Sequence, residues 1–212
     1  MKINLENLNH LYPQGLYPSL PRDNAKLSSV IIPLFKSSKE EFTLILTKRN
    51  ENLKNHPGQI SFPGGVKSES ESLLETAFRE WEEEIGESRD HLNVCGSFGE
   101  FNTFTGYVIV PFIAIYSGNF SFKPNPDEVD RIILLDLKLF NENPFYEVHH
   151  PKYPGRCIYY LQLNEELLWG ATAGIIVKFL KEFGNFQRSG TKVVPNLDKS
   201  PFFNPLFPYQ IL

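Results

Sequence analysis

Between Glu71 and Gly86 the chain reads Glu-Ser-Leu-Leu-Glu-Thr-Ala-Phe-Arg-Glu-Trp-Glu-Glu-Glu-Ile-Gly, and this stretch constrains the fold more than any other. At about 100° per residue, Leu73, Leu74, Ala77, Phe78, Trp81 and Ile85 share an arc of roughly 140°. That stripe requires an apolar surface to lie against. The pattern predicts a helix from Glu71 to Ile85, entered through Ser68-Glu69-Ser70-Glu71 as a capping box and stopped by Gly86 in a left-handed turn. Glu80, Glu83 and Glu84 fall on an adjoining arc of roughly 100°, one turn tall. Three carboxylates at i, i+3 and i+4 repel one another, and at the edge of the apolar stripe desolvation further disfavours the charge of Glu84. A positive charge is expected among them. Clustered carboxylate oxygens beside the glycine turn Phe62-Pro63-Gly64-Gly65, with its accessible main-chain carbonyls, suit Mg²⁺ or Mn²⁺ better than zinc. The planar fork of Arg79 can hold one or two of the glutamates from the side.

Glutamates on a helix are ordinarily a solvated face, but seven fixed residue types stand here at set spacing: Gly65, Glu71, Arg79, Glu80, Glu83, Glu84 and Gly86. Chance would produce that coincidence on the order of once in 10⁸ positions. The stretch resembles the Nudix box, G-x5-E-x7-R-E-U-x-E-E-x-G-U, where U is a bulky apolar residue. The resemblance implies an α/β fold, a Nudix-type α/β/α sandwich with a mixed β-sheet, and divalent-metal-dependent hydrolysis of a diphosphate linked to another moiety. It also implies that Glu80, Glu83 and Glu84 bind the metal together with a main-chain carbonyl of Gly64 or Gly65. Glu87 departs from the pattern, standing where the last apolar residue is expected.

Upstream, Ile45-Leu46-Thr47-Lys48-Arg49-Asn50 continues through Lys54 and Gly58 to Phe62-Pro63-Gly64-Gly65. This is similar to the signature of the coenzyme A diphosphatase branch of Nudix enzymes, L-L-T-x-R-[SA]-x3-R-x3-G-x3-F-P-G-G, with unbroken spacing. Ile45 replaces a Leu, Asn50 a small Ser or Ala, and Lys54 the second Arg. Arg49 at a strand end and Lys54 near the Gly58 turn are the expected binders of substrate phosphate. Lys54 can neutralise a 3′-phosphate but cannot grip it with two parallel donors as Arg does. His56, and the adjacent His149 and His150, lack metal-ligand spacing and stay outside the expected chemistry.

Further matches to the same branch follow in order: Gly96, Thr103-Phe104-Thr105-Gly106-Tyr107, Pro111-Phe112, Asn125-Pro126-Asp127-Glu128-Val129 and Trp169-Gly170-Ala171-Thr172-Ala173. Trp169 and Gly170 are expected to pack the second helix. The loop before Glu128 can bring a fourth carboxylate to the metal. Hydrolysis requires neutralised phosphate oxygens and a positioned, deprotonated water. Glu80 and Glu84 are then the principal ligands, Glu83 a ligand or the base, Glu128 the alternative base, and Arg79 the residue that positions the carboxylates. The implied reaction cleaves coenzyme A or acyl-CoA to adenosine 3′,5′-bisphosphate and (acyl-)phosphopantetheine. Two alternatives stand beside it: hydrolysis of another nucleoside diphosphate derivative such as NADH, ADP-ribose, a nucleotide sugar or a nucleoside triphosphate, and a ligand-binding Nudix-like module without turnover.

Short runs rich in β-branched and aromatic residues at 29–34, 42–47, 107–116, 131–137 and 157–163 predict strands. A second helix is expected from Glu165 to Phe183, capped by Asn164 and closed by Gly184, so that helices cover both faces of a mixed sheet. The expected organisation is an irregular arm over 1–27, a hydrolase domain over 28–184 and a Pro/Phe-rich tail over 185–212, its aromatics docked on this subunit or on a second copy in a homodimer. Twenty-five acidic against twenty-one basic residues give a formal charge of −4 over 212 residues, which argues against nonspecific nucleic-acid or anionic-membrane binding. No run approaches the roughly 18 apolar residues of a membrane span, and residues 1–20 lack the apolar core of a signal peptide. The expected location is cytoplasmic, with Cys95 and Cys157 as reduced thiols packed in strands.

Overall fold

The computed structural model describes residues 3, 11–12, 26–36, 41–103, 105–149, 156–164 and 166–193. Most of the expected arm, the tail beyond 193, Phe104, His150 and Glu165 lie outside the described residues. Backbone contacts divide the chain into two compact units, Met1–Leu137 and Lys138–Leu212.

The first unit holds β1 (Lys26–Lys36), β2 (Phe42–Arg49), β3 (Ile60–Ser61), β4 (Gly64–Val66), α1 (Leu73–Ile85), β5 (Leu92–Ser97), β6 (Phe101–Asn102), β7 (Tyr107–Tyr116) and β8 (Val129–Asp136). They form one mixed sheet along the path β3-β2-β1-β7-β5, with β4 added to β1, β6 to β7 and β8 to β2. β1 is antiparallel to β2 and β4 but parallel to β7, from Lys26 opposite Tyr107 to Leu34 opposite Ile115. The helix stripe read from the sequence is the core of this unit. Leu73, Ala77, Trp81 and Ile85 are buried against Ile31, Ile45, Val110, Phe112, Ala114 and Tyr116, with Leu74 and Phe78 packed partly buried at the margin. Trp81 is fully buried and leans on Tyr116, ring centroids 5.8 Å apart. Trp81→Ala should therefore cost about 3–5 kcal/mol, measured by denaturant unfolding, because an indole-sized cavity opens beneath the acidic face of the helix.

The helix begins two residues later than expected. Ser-x-x-Glu occurs twice in succession, and the copy that borders the apolar run serves as the cap: Ser72 Oγ accepts from the Glu75 N–H at 3.2 Å and the Glu75 carboxylate accepts from the Ser72 N–H at 2.7 Å. Glu71 is thereby left to bind Arg79. Gly86 ends the helix at φ 67°, as expected. Glu87, the departure from the box, is buried and hydrogen-bonded to the ring of His91, so a polar pair fills the place of the apolar residue.

The second unit holds α2 (Leu139–Glu142), β9 (Phe145–His149), β10 (Cys157–Leu163), β11 (Glu166–Trp169), α3 (Gly170–Phe183) and β12 (Thr191–Val193). Its sheet has the order β11-β10-β9-β12, with β12 parallel to β9. The second helix is shorter than the expected 165–183. Asn164 takes φ 51° in a turn, and the next four described residues pair back on β10, Glu166 opposite Leu163 and Trp169 opposite Tyr160. Trp169 stacks on Tyr160, centroids 5.7 Å apart. α3 starts at Gly170 and packs on β10 and β11 of its own unit. Gly184 ends it, its N–H donating to the Leu180 carbonyl. Both cysteines are free and half-buried in strands. No helix among the described residues is long and apolar enough to cross a membrane.

Candidate active site

Three elements of the first unit converge beside the acidic face of α1. β4 pairs with β1 so that Val30 stands opposite Gly64 and Ser29 opposite Gly65. A Cβ on Gly64 would collide with the Ser29 carbonyl oxygen, and one on Gly65 would collide with the Glu80 carboxylate. Only glycine lets this strand approach so closely. The Gly64 N–H donates to Glu84 Oε2 at 3.3 Å, so the turn touches the acidic cluster through an amide.

The second element is the end of β2. A register shift at Lys48/Arg49 pairs Arg49 with Val129, the first residue of β8. Such a bulge re-aims a side chain. Arg49 Nη1 lies 3.6 Å from Glu84 Oε1, and its buried Nε finds no hydrogen-bond partner among the described residues. The third element is the loop that ends at Glu128. The Asn50 N–H donates to the Glu128 carbonyl at 2.8 Å, Asn50 Nδ2 donates to the Pro126 carbonyl at 2.7 Å, and the Glu128 N–H donates to the Asn125 carbonyl at 3.1 Å. Oxygens of Glu80, Glu84 and Glu128 then lie within 4.8 Å of one another.

Asn50, which stands where the branch signature has Ser or Ala, thus ties the Glu128 loop to the end of β2. Asn50→Ala should retain the fold at a cost of about 1–3 kcal/mol, since its side chain donates to the Pro126 carbonyl and accepts from the Asn52 N–H, two hydrogen bonds of about 0.5–1.5 kcal/mol each. Its metal dependence of turnover should shift to higher Mg²⁺, read by titrating activity against the ion beside thermal denaturation of the same variant.

Arg79 binds three glutamates at once. Its Nε donates to Glu71 Oε1 at 2.7 Å, and its Nη1 donates to Glu80 Oε1 and Glu83 Oε2, each at 2.8 Å. Thr76 also donates to Glu71, at 2.9 Å. The Arg79 bond holds the Glu71 carboxyl down at about 2. Glu84, only 2 % exposed, behaves oppositely: burial first, then the charge of Glu80, push its pKa up to about 8 against the opposing pull of Arg49 and the Gly64 N–H. Burial also raises Glu80, partly offset by Arg79. Glu83 is drawn outward by Arg79, stands 50 % exposed and is not part of the trio. Lys54 is exposed in the loop after β2.

Three convergent carboxylates, two of them raised by burial, need more positive charge than Arg49, 3.6 Å from Glu84, and Arg79, shared by Glu80 with Glu71 and Glu83, provide. An all-oxygen donor set of this kind fits a hard divalent cation. The match to known proteins agrees with that chemistry: residues 25–154 match the model of the NUDIX domain. The chain belongs to the Nudix family. It is therefore a Nudix hydrolase acting on a diphosphate substrate, in a family that characteristically uses divalent metal ions. Relatives include proteins named uncharacterized Nudix hydrolase NudL. That of Photorhabdus laumondii is 31% identical over 163 residues, covering 75% of this chain and 86% of its own. That of Pectobacterium atrosepticum is 30% identical over 165 residues, covering 76% and 85%. Among solved structures, a MutT/nudix family protein from Enterococcus faecalis superposes with TM-score 0.52 at 15% identity, over 81% of this chain and 67% of that one. A Nudix hydrolase from Nitrosomonas europaea does so with TM-score 0.50 at 15% identity, over 83% and 81%. These two bear out the mixed α/β Nudix fold.

Proposed function

We propose that this Nudix hydrolase cleaves the diphosphate of coenzyme A and its acyl derivatives, giving adenosine 3′,5′-bisphosphate and (acyl-)phosphopantetheine, with Mg²⁺ or Mn²⁺ as cofactor. The observation that carries the reading is the run from Ile45 to Gly65, which keeps the full spacing of the coenzyme A diphosphatase signature. Glu80, Glu84 and Glu128 are the residues to hold the ion, with a main-chain carbonyl of Gly64 or Gly65. When bound, such an ion supplies charge neutralisation to the diphosphate and acidifies water. Arg79 acts as a positioning residue, locking Glu80 and Glu83 before substrate arrives. Arg49 and Lys54 supply positive charge to the substrate phosphates.

In the reaction a water oxygen bonds to one phosphorus, the bridging P–O bond breaks, and the bridging oxygen departs on the other phosphate. The proton of the water passes to a carboxylate and then to solvent. Glu83, half-exposed and oriented by Arg79, serves as the base. Lys54 in place of Arg favours a second reading, in which the 3′-phosphate is gripped weakly and another nucleoside diphosphate derivative is preferred. Mass-spectrometric analysis of coenzyme A incubated with protein and Mg²⁺ tests the proposal. Masses of adenosine 3′,5′-bisphosphate and phosphopantetheine are expected. Faster turnover of dephospho-coenzyme A, NADH or ADP-ribose selects the second reading, and no turnover of any of them with either ion selects a binding module.

A further inference from the structure

Outside this site, the second sheet brings together residues that sequence spacing kept apart. β9 and β10 pair so that His149 stands opposite Cys157 and Glu147 opposite Tyr159. Residues two apart on a strand share a face, so Glu147, His149 and Cys157 project on the same side of this strand pair. A carboxylate oxygen, an imidazole nitrogen and the Cys157 sulfur lie within 4.8 Å of one another. Glu147 and Cys157 are half-buried and His149 is exposed, which leaves the group open to solvent on one side. The Gly190 N–H donates to Glu147 Oε1 at 3.1 Å and so orients the carboxylate from outside the group, as ligating carboxylates require.

The donor set differs in kind from the oxygen trio of the first unit. Sulfur and imidazole nitrogen select a borderline-soft ion, and with one carboxylate they make the three-ligand arrangement in which a tetrahedral ion keeps one position free. Lys181 lies 5.6 Å over the Tyr159 ring, and Lys192 is the strand partner of Glu147 on β12. A thiolate and a carboxylate together offset a divalent charge, so those lysines stay as solvated neighbours. We propose that Glu147, His149 and Cys157 form a second metal site of zinc type, cross-linking the last residue of β9 to the first of β10.

The test uses the full chain, stripped of metal, in buffer saturated with Mg²⁺ so that the oxygen cluster is served. Co²⁺ is titrated as the spectroscopic probe and Zn²⁺ as the competitor. One equivalent of Co²⁺ should produce a thiolate charge-transfer band in the near ultraviolet and tetrahedral bands in the visible, and Zn²⁺ should erase both. Cys157→Ser should abolish the charge-transfer band. Removing a group that merely orients a ligand costs roughly 10–100-fold in affinity, so His149→Gln, which keeps size and polarity, should weaken Zn²⁺ binding by more than tenfold. Cys95→Ser and Glu84→Gln should leave the spectrum unchanged. Absence of a thiolate band in a protein whose circular dichroism is native overturns the proposal, as does a band that survives Cys157→Ser or disappears with Glu84→Gln.

Discussion

Glu84→Gln should give a folded protein whose turnover falls by at least about 10²-fold, the scale on which removal of one electrostatic group slows an enzyme. Glutamine keeps the shape of the side chain and can still accept from the Gly64 N–H, but it removes the negative charge at the most buried point of the trio. The metal-free protein should show a matching signature in its stability. Glu84 ionises near 4.5 in the unfolded chain and at about 8 in the fold. Below 4.5 it is protonated in both states. Between the two values the folded state holds a proton that the unfolded state has released, so stability declines as pH rises across this window, and above about 8 the decline is complete. A divalent ion binds the ionised form, so stabilisation by Mg²⁺ should grow with pH over the same range. Thermal denaturation at several pH values with and without Mg²⁺ reads both trends, and Glu84→Gln should flatten them together.

Arg79→Ala should be the next most damaging change. It removes the shared donor of Glu71, which precedes the helix cap, and of Glu80 and Glu83 on the helix, and leaves the three carboxylates without the cation that joins them. Loss of a group that fixes ligand geometry costs roughly 10–100-fold in metal affinity or activity, and the Mg²⁺ dependence should move accordingly. Arg79→Lys should recover little, since one ammonium cannot serve carboxylates lying in different directions as a planar fork does. Glu71 offers a separate readout. Its carboxyl is held at about 2, so its contribution is present above the unfolded value of 4.5 and is lost as pH falls through 2. In Arg79→Ala that transition should return towards 4.5, visible in the carboxyl chemical shift of Glu71. An unaltered titration of Glu71 together with normal turnover would contradict the positioning role.

What could be read from the sequence was whatever is local. The stripe from Leu73 to Ile85 follows from the helical period alone and recurs in the structure, whereas of Glu80, Glu83 and Glu84, which the same period groups, only Glu80 and Glu84 converge with Glu128 and Glu83 turns outward to Arg79. The position of the cap is ambiguous in the sequence because two copies of Ser-x-x-Glu stand in tandem, and burial of Leu73 selects the second. Long-range pairing was the harder part. The two-residue strand β3 and three-residue strand β4 carry no period of their own and exist because β2 and β1 hold them. Residues 166–169 read as helix because apolar residues follow them at helical spacing, whereas pairing with β10 makes them a strand. The fourth carboxylate was visible as a loop residue, but Asn50 as the anchor of that loop was not, because nothing in residues 45–65 discloses that Val129 pairs with Arg49. The same blindness to register hid His149 opposite Cys157.

The proposed mechanism requires Glu80, Glu84 and Glu128 to share a divalent ion, and Mn²⁺ binding followed by electron paramagnetic resonance tests that directly. Wild-type protein should bind Mn²⁺ saturably, with Mg²⁺ competing, and the bound signal should vanish in a Glu80→Gln, Glu84→Gln, Glu128→Gln triple variant that remains folded. Mn²⁺ held as tightly by that triple variant as by the wild type would contradict it.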